Sequence, residues 1–156
     1  MFETPLDAWY AYVGVAAVSA AALGVALGFP TAAPPDATAA AGTVDRVASR
    51  SHAARASQPL RADAIRLRRG GLALRGPGGT ARATFAYGPV TPVGRQSELR
   101  RVLDGDSPGR VFGTGGAFRR AVATARRTAP EWRSAGPRLT VRTLSWRGVD
   151  VTLVGA

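Results

Sequence analysis

Four arginines in the stretch GGAFRRAVATARRTAP, namely Arg119, Arg120, Arg126 and Arg127, stand as two pairs seven residues apart. That spacing returns to one side of a helix, and Phe118, Ala121, Val122 and Ala125 fall on an apolar arc opposite them. Guanidinium groups in such rows hold phosphates bidentately or lie along an anionic lipid surface, which makes these four the candidate anion-binding residues. A solvated outer face without a partner is the plain alternative. No aromatic residue is interleaved with them, which counts against single-stranded nucleic acid, and nucleic acid is not the expected partner of the chain.

Other chemistries are excluded by composition. All 21 basic residues are arginine. Without lysine there is no P-loop amine, Schiff-base amine or kinase-type phosphate lysine. Cysteine is also absent, so disulfides, thiolate nucleophiles, Cys-ligated zinc and iron–sulfur clusters are ruled out. His52 is the only histidine and sits among Ser49, Ser51 and Ser57 without an orienting carboxylate, so a solvated histidine is expected there. Asp104 and Asp106 in LDGDSPG lack the further ligands a metal loop needs and read as a turn. VFGTGGAF at 111–118 puts glycines before a helix, but Phe118 stands where a dinucleotide fingerprint needs glycine; a plain helix start with Thr114 near the cap is expected. No catalytic, cofactor-binding or metal-binding residue is assigned, and no small-molecule substrate is evident.

A formal charge of +11 points towards anionic partners. Arginine without lysine, alongside abundant Ala, Gly and Pro, is equally what GC-rich coding sequence produces. With 156 residues, 46% of them hydrophobic, the chain has room for one domain and an accessory segment.

The elements that must position any site are written in the periodicities. Ile65 and Leu67, then Leu72 and Leu74 across RRGG, alternate as a hairpin. GPGG at 76–79 is a second turn, followed by a strand centred on Thr84 to Tyr87. Residues 94–112 read as a loop with one short helix at SELRRVL, followed by the amphipathic helix that Pro130 ends. RLTVRTLSW and VDVTLV form a last hairpin around Arg147 and Gly148, with Val149, Val151 and Leu153 on one side; Trp132 and Trp146 flank it and are expected in the core. Antiparallel strands with one amphipathic helix packed on them make a small α+β domain over 60–156.

The start of the chain, MFETPLDAWYAYVGVAAVSAAALGVALGFPTAAPP, has no charge between Asp7 and Asp36. Its apolar run from Ala8 to Phe29, about 22 residues at 1.5 Å each, spans about 33 Å and predicts an N-terminal transmembrane helix. Trp9, Tyr10 and Tyr12 would lie at the membrane interface, and Gly24 and Gly28 form a GxxxG suited to helix–helix contact. A cleaved signal peptide is the competing reading, but Glu3 and Asp7 stand where a basic n-region would be. The expected organisation is an anchor over 1–35, an Ala-rich stalk or helix over 36–59 and the α+β domain over 60–156. Arg46, Arg50 and Arg55 after the apolar run favour a cytoplasmic domain by the positive-inside rule.

Taken together, DAWYAYVGVAAVSAAALGVALGFPTAAPPDATAAAGTVDRVA, FAYGPVTPV and GVDVTLVGA resemble an uncharacterised family of small haloarchaeal membrane proteins, whose genes are associated with archaeal type IV pilus or tight-adherence-like secretion components. The resemblance implies a cell-membrane protein with its domain on the outer side, partnered by membrane lipid and other membrane or pilus-assembly proteins, and it carries no catalytic residues. The function expected is therefore a single-pass, membrane-anchored, non-enzymatic structural or assembly component of a pilus-like or secretion system. The alternative is a cytoplasm-facing protein whose arginine-rich surface binds nucleic acid or anionic lipid headgroups.

Overall fold

The computed structural model describes residues 6–27 and 32–156. The chain divides into two units, Met1–Thr31 and Ala32–Ala156. In the first, α1 spans Leu6–Leu27. Among the described residues no helix is long and apolar enough to cross a membrane. This overturns the expected transmembrane helix, and the membrane, single-pass and pilin-like description falls with it. The described helix takes in Asp7, and of its 22 residues eight are alanine and two glycine. Such small side chains carry little apolar area per turn. Trp9, Tyr10 and Tyr12, expected at a membrane interface, are exposed on α1 at 67%, 72% and 75%. Of the expected GxxxG pair, Gly24 belongs to α1 and Gly28 lies outside the described residues.

In the second unit, Asp36 accepts a hydrogen bond from the Ala39 amide at 2.8 Å and starts α2, Ala37–Ala48. Its small residues Ala37, Ala40, Val44 and Val47 are buried, so the helix backbone sits close to what it packs on. The strands β1 (Ala54–Pro59), β2 (Ala64–Arg68), β3 (Gly71–Gly76), β4 (Gly79–Thr84) and β5 (Thr91–Pro92) follow. Then come α3 (Glu98–Asp104), α4 (Pro108–Phe112), α5 (Gly115–Arg127), β6 (Arg133–Ser134), β7 (Arg138–Trp146) and β8 (Val149–Gly155). The segment 36–59, expected as a stalk or helix, is thus a helix and a strand inside the unit Ala32–Ala156. The third strand of the hairpin run is Gly79–Thr84, earlier than its expected centre.

Two sheets of four strands form, ordered β1-β7-β8-β5 and β4-β3-β2-β6. All pairings are antiparallel except β5 with β8. Side-chain alternation gives β7 and β8 two buried faces. Leu139, Val141 and Val154 meet α2 together with Ile65, Leu72 and Leu74 of the second sheet. Leu144, Val151 and Leu153 meet Leu99, Val102 and Leu103 of α3 and Phe118 and Val122 of α5. The first sheet is therefore a middle layer, with α2 and the second sheet on one side and α3 and α5 on the other. One face of the second sheet closes the core and its other face points outward.

Candidate functional site

That outward face is built by the period of two. In β2, Ile65 and Leu67 point inward, leaving Ala64, Arg66 and Arg68 outward; in β3, Leu72 and Leu74 point inward, leaving Gly71, Ala73 and Arg75 outward. In β4, Ala81 and Ala83 pack against the core and Thr80, Arg82 and Thr84 face out. The register aligns Arg66 with Ala73 and Ala73 with Arg82, and sets Arg75 between Ala64 and Thr80. With strands about 4.8 Å apart and alternate residues about 7 Å apart, Arg66, Arg68, Arg75 and Arg82 lie within roughly 10 Å of their neighbours. The residues between them, Gly71, Ala73 and Ala64, are small.

Trp132 completes the face. Because β6 pairs Arg133 with Ile65, Trp132 falls beside Arg66 on the outward side. The guanidinium carbons of Arg66 and Arg75 lie 4.9 and 4.3 Å from the centroid of its indole ring, a double cation–π arrangement. Trp132 is half-buried under these cations and is not part of either core cluster, which corrects its expected core position. Trp146 does pack inside, edge-on to Phe118 with ring centroids 5.6 Å apart.

Electrostatically the face is uncompensated. Burial of its guanidinium against the indole lowers the pKa of Arg66 below the ordinary arginine value, and repulsion from Arg68, Arg82 and Arg75 lowers it further. The Arg66 Nε is shut off from solvent with no hydrogen-bond partner. Among the described residues the ion pairs are Arg100 with Asp104 at 3.0 Å and Arg101 with Asp106 at 3.1 Å, both beside α3. Asp63 and Glu131, the nearest carboxylates along the chain, share the parity of Ile65 and Arg133, which is that of the inner face. Guanidinium groups gathered in this way suit anions, which they can hold by charge and by bidentate hydrogen bonds.

The arginines predicted on α5, in two rows seven residues apart, differ in their surroundings. Arg119, Arg120 and Arg127 are exposed, whereas Arg126 is half-buried and donates from Nε to the Thr91 hydroxyl at 2.8 Å. The end of α5 lies against β5, so position 126 faces protein; burial, and then Arg69, lower the Arg126 pKa. Arg142 is also structural: its guanidinium donates to the carbonyls of Val102 and Asp106 at the end of α3. Burial lowers its pKa most, Arg55 adds to that, and Asp106 opposes it.

Of the other residues singled out, Thr114 caps α5 by accepting from the Ala117 amide at 3.2 Å. Asp104 and Asp106 engage arginines, and His52 is exposed at a bend. A cleft of about 700 Å³ opens between β2, α5 and the chain after β5. Its floor includes Ile65, Leu67 and Ala125, and its rim mixes Arg95 and Arg133 with Glu98 and Glu131, so its charge selects no ligand class. The arginine face of the second sheet escaped the reading centred on α5. Its signal was present in IRLRRGGLALRGPGGTARAT, where arginines alternate with the apolar positions of the hairpin.

A profile described as "Family of unknown function (DUF7283)" matches residues 3–144, and the chain belongs to that family. The match carries no statement of source organism or of association with a pilus. No curated protein and no solved structure matches the chain.

Proposed function

We propose that this member of the DUF7283 family is a non-enzymatic binding protein that holds an anionic polymer on the outward face of its second sheet. The observation that carries the reading is the set Arg66, Arg68, Arg75 and Arg82, gathered on one face with no carboxylate paired to any of them among the described residues. GC-rich coding sequence would produce arginine in place of lysine. It would not account for four cations on one side of the three strands β2, β3 and β4, whose other side is apolar. Mutual repulsion makes the bare face unfavourable, and a polyanion relieves that repulsion while releasing its own counterions. The assembly role that the family resemblance implied keeps only its non-enzymatic part here.

Titration with inorganic polyphosphate at low salt tests the reading. The double variant Arg68→Gln/Arg82→Gln, both positions fully outward, is expected to weaken binding roughly tenfold. Arg119→Gln/Arg120→Gln on α5 is expected to leave it unchanged. The reverse order would move the site to α5, and absence of binding by the unaltered protein would reject the reading.

A further inference from the structure

We infer that the anionic polymer is single-stranded nucleic acid, its phosphates held by Arg66, Arg68 and Arg82 and a base stacked at the corner formed by Trp132 and Arg75. The inference rests on the polyanion reading above and adds to it the kind of polymer. Three features of the face select it. First, the outward residues between the arginines, Gly71, Ala73 and Ala64, are small, and Gly71 and Ala73 are already buried, so a strand laid on the face meets the arginine side chains and not the sheet backbone. Second, the aromatic residue absent from α5 is present here. The exposed Arg75 lies 4.3 Å from the Trp132 ring centroid, and aromatic rings and guanidinium planes are the two surfaces on which unpaired bases stack.

Third, the face is unsuited to the competing anions. Its outward positions in β2, β3 and β4 are Ala, Gly, Thr and Arg, and its one large apolar side chain, Trp132, is half-buried under Arg66 and Arg75, so the face lacks the run of exposed apolar side chains that a membrane-surface element inserts among acyl chains. It is also a sheet face and not a protruding helix or two-stranded ribbon, the shapes that enter the major groove of a duplex. The sealed Arg66 Nε adds a means of response. A base that shifts the indole uncovers a donor that has no acceptor in the protein, and a phosphate oxygen then supplies one.

The test measures anisotropy of a labelled oligothymidylate of about 12 nucleotides, against the matching duplex, inorganic polyphosphate and vesicles with about 30% anionic lipid. The single strand is expected to bind at least about tenfold more tightly than the duplex. Its log affinity should fall with log salt at a slope near −2 for about three neutralised phosphates, and Arg82→Gln should reduce that slope by about 0.7. Trp132→Ala should weaken binding about tenfold with the slope unchanged, because it removes stacking and no charge. Trp132→Phe, which keeps a ring, guards against a folding defect: it should retain most of the affinity while abolishing the tryptophan fluorescence change on binding. Equal or tighter binding of the duplex, or a Trp132→Ala variant that binds the single strand normally, would overturn the inference. Vesicle binding alone would assign the face to membranes. Polyphosphate binding with the same dependence on Arg82, but without preference for the single strand, would overturn the inference and leave the polyanion reading standing. Failure of all four probes would end both.

Discussion

Arg66 sits at the crossing of opposed demands. Its Nε has lost water without gaining an acceptor, and three neighbouring arginines repel its charge. The indole of Trp132 offsets part of this through its ring face. Replacing the side chain by an apolar one of similar length removes both penalties, so Arg66→Met is expected to raise the thermal unfolding midpoint while weakening polyanion binding. A lower midpoint together with unchanged binding would mean that Arg66 is only a packing residue. Phe118 is the opposite kind of residue. It is fully buried among α3, α5 and the middle sheet, 5.4 Å from the Phe112 ring and 5.6 Å from the Trp146 ring. Phe118→Ala should cost about 3–5 kcal/mol in denaturant unfolding, through lost transfer energy and the cavity left behind.

Among the elements, α2 has the most consequence for the reading of the chain. Its buried Ala37, Ala40, Val44 and Val47 close the core over Leu74, Leu139, Val141 and Val154. Thr43 bonds to Gln58 of β1, and Asp45 accepts from the amides of Ala86 and Tyr87 at 2.9 and 3.0 Å. A helix so engaged is part of the core of the unit Ala32–Ala156. A chain that starts at Arg50 is therefore expected to lose cooperative thermal unfolding, because apolar side chains from both sheets would face water. A truncated chain that melted like the parent would restore the stalk reading. The hairpin strands β2, β3 and β4 matter in a different way, because one pattern of alternation sets both the inner apolar face and the outward arginines.

For the whole molecule, a charge of +11 makes self-repulsion a general term. The lowered pKa values of Arg66, Arg126 and Arg142 fix its pH dependence. A cation whose folded pKa is depressed disfavours the folded state at every pH below that pKa, and the penalty lifts only as pH rises through it. For arginine that window lies in the strongly alkaline range, so these groups contribute no change in stability between about pH 6 and 9. Salt, by contrast, screens the repulsion directly. The unfolding midpoint is expected to rise between about 0.01 and 0.5 M salt, as the Debye length falls from about 30 Å to a few ångströms. A midpoint that fell with salt would mean that attractive pairs, and not repulsion, dominate the surface.

Several of these features were legible in the chain itself. The hairpin over 64–76, the helix begun by Thr114 and the final hairpin around Arg147 and Gly148 all follow from periods of two and 3.6, because an element with one buried face records that face in its own spacing. The missing lysine and cysteine likewise excluded whole chemistries before any fold was known. Other features depended on residues distant in sequence. Ala-rich 37–48 suits a stalk as well as a core helix until two sheets are placed against it. The short β5 and β6 have too few residues to show a period, and β1 pairs with β7 across 83 residues at Ser57 and Thr140. Trp132 becomes part of the arginine face only because β6 adds to the edge of β2. Local spacing states which side of an element is apolar; which other element covers that side, and which cations share the opposite one, is decided by long-range pairing that no local period encodes.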